Sequence, residues 1–194
     1  MEEQVIDMPC PMCQNEDNLR MIAHVDEIPY FGEHTQVTVL CHACGWRQTD
    51  FIPAEGRKPG GWEFVIESED DLSVRVVRSS SCTVCIPELD LEVNPGGAAT
   101  GFVTNVEGLL VRFIDIVEMV LRDIGDAEPD NQQVLLHMLY RLQNAGREGG
   151  PLKIELLDPH GLSQILHERA TDRDLTQEEI DSLPVGPDPA VYST

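Results

Sequence analysis

The chain has 194 residues, 41% of them hydrophobic, with 35 acidic against 13 basic side chains and a formal net charge of −22. That acidity opposes nucleic-acid binding, because phosphate recognition rests on Lys and Arg. No apolar run nears the roughly 20 residues of a membrane-spanning helix, and no charged segment followed by an apolar one marks a secretory leader, so a soluble cytoplasmic protein is expected.

The acidic groups are spread along the whole chain, and only Lys58 and Lys153 are lysines. This fits a cytoplasm of very high salt, where screening removes self-repulsion, and predicts a halophilic source. An ordinary acidic protein with a basic partner is the alternative. The length allows one large domain or two small ones.

Residues 1–9 form a short polar lead-in. Cys10-Pro-Met-Cys13 follows, then a strand over Leu19–Val25, broken by Ile28-Pro-Tyr-Phe-Gly32. Thr35–Leu40 alternates polar and apolar residues into Cys41-His-Ala-Cys44-Gly45, and Trp46–Ile52 continues as a third strand. Pro53–Gly61 reads as a loop. Beyond it Trp62–Glu67, Leu72–Arg78 and Ser80–Val93 carry period-two patterns with frequent turn signals, as in a sandwich or barrel.

The period then changes. Val106, Leu109, Leu110, Phe113, Ile114, Val117, Val120, Leu121 and Ile124 fit a helix capped by Thr104 or Asn105 and stopped by Gly125. Phe113, Val117 and Val120 are expected to face the barrel, leaving Met119 and Val111 off that stripe. Pro129-Asp130 starts a second helix, ended by Gly146, so the two form an antiparallel hairpin over 104–146. A strand over Lys153–Leu157, a turn at Asp158-Pro-His-Gly161 and a capping box at Thr176-Gln-Glu-Glu179 follow. Residues 184–194 read as a frayed tail.

Four thiolates, Cys10, Cys13, Cys41 and Cys44, can occupy the corners of a tetrahedron, the geometry Zn²⁺ takes in a closed structural site. Two disulfides or two redox motifs are the alternatives. In a reducing compartment paired cysteines read as metal ligands. His42, inside the second pair, is the one other residue able to replace a ligand. A third CxxC, Cys82-Thr-Val-Cys85, sits in a β pattern, where positions i and i+3 point to opposite faces, so both are read as small buried residues. No phosphate-binding loop, dinucleotide fingerprint, metalloprotease motif or nucleophile elbow is present, and no enzyme is expected. Tyr30 and Phe31, adjacent in the turn between the two cysteine pairs, are either a partner-binding tip or a plug packed on the next domain.

Cys10-Pro-Met-Cys13, Glu27-Ile-Pro-Tyr-Phe-Gly-Glu33 and Cys41-His-Ala-Cys44-Gly45 resemble the N-terminal part of the Zpr-type zinc-finger proteins. The resemblance runs on through Asp71-Leu72, Val77-Arg78-Ser79, Ile86-Pro-Glu-Leu-Asp-Leu91 and Thr104-Asn-Val-Glu-Gly-Leu-Leu110, and ends near Asp158-Pro-His-Gly161. The chain looks like the short, single-module archaeal form, the eukaryotic members carrying the module twice. The resemblance implies a mostly β chain: a four-cysteine zinc ribbon over 1–53, then a double-stranded β-helix-like domain over 54–183 with an inserted α-hairpin. It also implies binding to, and assisted folding of, the translation elongation factor 1-alpha GTPase. Cys82 and Cys85 stand where the family usually has Ser, Thr or Ala, and Gly161-Leu-Ser163 where it tends toward Gly-Asn-Ser.

The leading expectation is a zinc-binding interaction module serving as a folding or assembly factor for that GTPase. A zinc-ribbon protein of a nucleic-acid or transcription complex is the alternative. It is opposed by a ribbon half whose strong bases are Arg20 and Arg47 amid many acids. A barrel enzyme is opposed by the lack of any histidine from Trp62 to Val93.

Overall fold

A computed structural model describes residues 2–28, 32–53, 58–97, 99–124 and 129–184. Tyr30, Phe31, Gly125 and almost all of the tail lie outside them.

The N-terminal part is one antiparallel sheet in chain order: β1 (Glu2–Val5), β2 (Leu19–Ile28), β3 (Gly32–Cys41) and β4 (Arg47–Pro53). β2 and β3 pair without a slip from Leu19 opposite Cys41 to Ile28 opposite Gly32. The lead-in expected before Cys10 is instead a strand: Glu2–Val5 adds to the edge of β2. Its polar side chains hide it from a hydrophobic pattern, because an edge strand is held by backbone bonds and need not bury a face. This sheet has its own small core of Ile6, Cys10, Leu19, Val39 and Cys41, flanked by Met21 and Trp46.

The second part is two facing antiparallel sheets. One runs β12 (Thr171–Asp174), β5 (Gly60–Ile66), β10 (Leu152–Asp158), β7 (Thr83–Ile86), β8 (Leu91–Val93). The other runs β11 (Gln164–Leu166), β6 (Arg75–Arg78), β9 (Phe102–Asn105). β10 shows why: Leu152, Ile154, Leu156 and Asp158 are buried, and the residues between them half-buried. The three apolar ones join Phe64, Ile66, Val76, Ile86 and Ile165 in the main core.

The single strand expected over Ser80–Val93 is broken. Pro87 has no N–H to give a ladder, and Pro87–Leu89 forms a 3-10 turn ending at Asp90 in the left-handed region, φ +50. The strand expected from Leu72 begins only at Arg75. Before it Asp71 accepts from the N–H groups of Glu67 and Ser68 and holds Glu69–Ser73 in a 3-10 turn.

Between the barrel strands lie α1 (Val106–Ile124) and α2 (Pro129–Gln143). Asn105 caps α1, its Oδ1 accepting from Gly108 N at 2.8 Å. α1 buries Val106, Leu109, Leu110, Phe113 and Val117, and none of its residues after Val117 is buried. α2 buries only Leu139 and Leu142, near its far end. The hairpin is thus anchored at its base. Val120, expected against the barrel, is 38% exposed, because it lies in the turns beyond the core. Val111 and Met119 are exposed as expected. The capping box opens α3 (Gln177–Ser182), with Thr176 and Glu179 bonded reciprocally.

Candidate metal centre and its surroundings

The two cysteine pairs are built alike. In the first, Gln14 N donates to Cys10 O and Cys10 N to Asn15 O. In the second, Gly45 N donates to Cys41 O and Cys41 N to Trp46 O. Each turn closes on a left-handed residue, Gln14 at φ +59 and Gly45 at φ +77. The glycine was legible in the sequence; the equivalent position of the first pair is a glutamine, so that half of the symmetry was not.

These turns aim four sulfurs at one point. All four lie within 4.8 Å of one another. Cys10 and Cys44 Sγ are 3.8 Å apart, as are Cys13 and Cys41 Sγ. A tetrahedron with Zn–S bonds of about 2.3 Å has edges of about 3.8 Å, whereas a disulfide needs about 2.05 Å. The residues present therefore fit Zn²⁺ in a closed, four-thiolate site.

Backbone N–H groups reinforce the thiolates. Burial pushes the Cys41 thiol up, but the N–H groups of Cys44 and Ala43 with the Cys10 and Cys44 thiols outweigh it and leave it at about 7. The Trp46 N–H lowers Cys44, yet desolvation and the three other thiols drive it to about 12. Four clustered thiols thus hold protons unevenly, and a cation resolves the conflict by binding all four as thiolates.

His42 turns away from this set. Its Nε2 is 3.0 Å from Glu3 Oε1 on β1. Cys82 and Cys85 also stay out of it. Cys82 is fully buried, its thiol donating to Thr83 O at 3.3 Å, and burial drives its pKa far up. Cys85 is half-buried rather than buried, and desolvation, Glu92 and Glu155 push it up to about 12.

Asp50, at the middle of β4, reaches across to the barrel. It is 1% exposed, and its two oxygens accept from Ser80 N at 2.7 Å and Ser80 Oγ at 2.6 Å. Gln48 Nε2 lies 3.3 Å from both Asp50 Oδ2 and Ser80 Oγ. Burial pushes the Asp50 carboxyl above its ordinary value. Alongside, Gly101 N donates to Thr49 O at 2.6 Å, and a Cβ at Gly101 would stand 2.9 Å from Asp50 Oδ1 and 3.1 Å from Thr49 O. Only glycine permits that approach.

Behind Ser80, Asp158 is the hub of a second buried network. It accepts from the hydroxyls of Ser79 at 2.8 Å, Ser81 at 2.8 Å and Ser163 at 2.6 Å, and from the N–H groups of His160 and Leu162. The turn Asp158–Gly161 and the segment Val77-Arg78-Ser79 are thus one structural unit. No sequence signal pairs Asp50 with Ser80, since the link spans 30 residues, from a strand of the first sheet to the turn between β6 and β7.

The helical hairpin exposes large apolar side chains. Ile116, Met119 and Val120 share a face of α1 at i, i+3, i+4, and Leu136 and Tyr140 are one turn apart on α2. Among the described residues no helix is long and apolar enough to cross a membrane.

Comparison with known proteins is consistent with this architecture. Residues 70–183 match the family model described as the ZPR1 jelly-roll domain. A ZPR1-like protein of Pyrococcus horikoshii is 39% identical over 180 residues, which cover 92% of this chain and 80% of that protein. One from Methanocaldococcus jannaschii is 38% identical over 184 residues, 95% of this chain and 92% of its own. The zinc finger chaperone zpr1 of Schizosaccharomyces pombe is 27% identical over 173 residues, 88% of this chain but 37% of its own length.

Proposed function

This chain belongs to the ZPR1 family, and on that premise we propose that it is a zinc-stabilised protein-binding module, not an enzyme, that assists folding or assembly of the translation elongation factor 1-alpha GTPase. Zn²⁺ is held by Cys10, Cys13, Cys41 and Cys44, and its part is structural: it ties the start of β2 to the end of β3, where Leu19 pairs with Cys41. The binding surfaces are the Tyr30-Phe31 turn and the outer face of the helical hairpin.

The observation that carries this is the exposure of Met119 at 50%, Leu136 at 50% and Tyr140 at 47% on helices whose buried residues lie at the hairpin base. A surface of −22 charge gains little from exposing such groups unless they meet a partner. High salt screens charge attraction, so apolar contact is the better source of affinity for a halophilic protein. The name of the fission-yeast relative, a chaperone, points the same way.

The transcription-complex alternative is weaker. Arg20, one of the two strong bases of the ribbon, spends its guanidinium on the backbone carbonyls of Asp17 and Leu19, both at 2.9 Å. The direct test is calorimetric titration of the chain with the purified elongation factor in molar salt. Saturable binding that Met119→Asp with Tyr140→Asp removes supports the proposal. Absence of binding to both nucleotide states of the factor sinks it.

A further inference from the structure

A groove of about 370 Å³ opens on the barrel at the foot of α1. Its position follows from the topology. β8 ends the five-stranded sheet and β9 ends the three-stranded one, and Val93 of β8 and Phe102 of β9 both line the opening. Leu109, Phe113 and Ile116 of α1 supply its apolar wall.

Two arginines enter this groove. The Arg78 guanidinium carbon lies 5.7 Å from the centre of the Phe102 ring, and that of Arg112 lies 4.2 Å from it. Arg78 is 7% exposed, and one of its nitrogens donates to Cys82 O at 2.7 Å. Among the described residues neither guanidinium has a carboxylate within ion-pair distance. That is unexpected in a chain with 35 acidic side chains and 13 basic ones. Burial lowers the pKa of Arg78, against the attraction of the more distant Asp158 and Asp50 carboxylates, and the like charge of Arg112 adds to the lowering. The two guanidinium groups stand beside one aromatic ring, walled by aliphatic side chains, where an anionic group can accept from both.

We propose that this groove binds an extended acidic–aliphatic peptide segment of a partner protein, with Arg112 and Arg78 holding a carboxylate and Phe102 flanking it. The carboxylate is an acidic side chain of that segment. The wall of Leu109, Phe113 and Ile116 takes the neighbouring aliphatic side chain. The free edge of β8, which pairs with β7 alone among the described residues, offers backbone N–H and C=O groups to an extended strand. A doubly charged phosphate fits less well, because Asp115 lines the same opening and the walls are apolar. The groove meets the exposed hairpin face at Ile116, but its test reads a different ligand, so it stands or falls separately from the elongation-factor proposal.

The test is fluorescence anisotropy with the full chain and four labelled octapeptides in moderate salt. The first alternates leucine and glutamate and is blocked at both ends. The second replaces glutamate by glutamine, the third replaces it by phosphoserine, and the fourth is the glutamine peptide with a free terminal carboxylate. The glutamate peptide should bind at least about tenfold more tightly than the blocked glutamine peptide. Arg112→Glu should erase that preference, and Arg112→Lys should keep part of it. Arg112 is exposed and unpaired among the described residues, so the melting temperature should not move; Arg112→Gln serves if the charge reversal fails to fold. Equal binding of the blocked glutamate and glutamine peptides, a gain from the free terminus alone, tightest binding of phosphoserine, or a preference that survives Arg112→Glu overturns the proposal.

Discussion

Asp50 and Ser80 are bonded twice across the seam between the zinc-ribbon sheet and the barrel, with both carboxylate oxygens engaged and both residues out of water. The seam is therefore polar, and its strength depends on the charge of one buried acid. Burial raises the folded-state pKa of Asp50 above its unfolded value. The folded state then binds a proton more tightly than the unfolded one. Stability from this group is full below the ordinary carboxylate range and falls as pH rises through the folded pKa. The advantage of wild type over Asp50→Asn should thus be greatest near pH 4 and shrink as pH rises. Paired thermal melts from acid to neutral pH check this, and an advantage that grows with pH refutes it.

Asp158 makes a sharper prediction about stability. Asp158→Ala leaves three buried hydroxyls and two backbone N–H groups without their acceptor. At about 1–3 kcal/mol for each unsatisfied buried donor, less what water recovers, the loss should be at least about 4 kcal/mol. Urea unfolding measures it. Ser163→Ala removes one of these donors and leaves a single buried N–H, that of Ser79, without its acceptor, so it should cost less than Asp158→Ala.

The metal centre and the change from period two to the helical period were legible because each is local. CxxC spacing fixes two sulfurs within one turn, and the stripe from Val106 to Val117 repeats along one helix. Gln14 in a left-handed turn was hidden, because only its partner Gly45 carries the usual residue. The short strands Phe102–Asn105, Gln164–Leu166 and Thr171–Asp174 were hidden too. Three or four residues hold too few alternations to show a period, and they form by pairing with β6 and β5, strands distant in the sequence. The Asp50–Ser80 and Asp158–Ser79 links join residues 30 and 79 apart, and serine and aspartate carry no pairing signal of their own.

Zinc should support the ribbon alone. Cys10 and Cys41 belong to the small core with Ile6, Leu19 and Val39, whereas the barrel core contains none of the four candidate ligands. One zinc per chain is expected, retained in Cys82→Ser with Cys85→Ser and lost in Cys13→Ser. Chelation should remove amide protection up to about Ile52 and spare β5, β7 and β10. Loss of protection throughout would show that the two cores unfold as one.

Salt should matter to the whole chain. At a charge of −22, lowering the salt from 1 M to 0.1 M lengthens screening from about 3 Å to about 10 Å. Carboxylates then repel across the surface, and the melting temperature should fall. The barrel face shows the crowding: Lys153 lies beside both Glu63 and Glu155 and bonds Glu155 closely. A melting temperature that stays flat across that range counts against a halophilic origin.

The functional proposal separates two surfaces. Tyr30 and Phe31 fall between β2 and β3 in the sequence, outside the described residues, and the hairpin face is set by Ile116, Met119 and Val120. If the turn anchors the elongation factor, changing Tyr30 and Phe31 to Ser should weaken binding by at least about 2 kcal/mol, about thirtyfold in Kd. Zinc content and melting temperature should stay unchanged, as they do when a truncated side chain served a partner and not the chain's own packing. Met119→Asp should weaken binding independently, because the hairpin face lies on the barrel part of the chain. The two losses should then add, as they do for sites without shared partners. Wild-type affinity in the Tyr30, Phe31 double variant removes the turn from the interface. A fall in melting temperature instead makes the two aromatics packing residues, and the hairpin face alone then carries the contact.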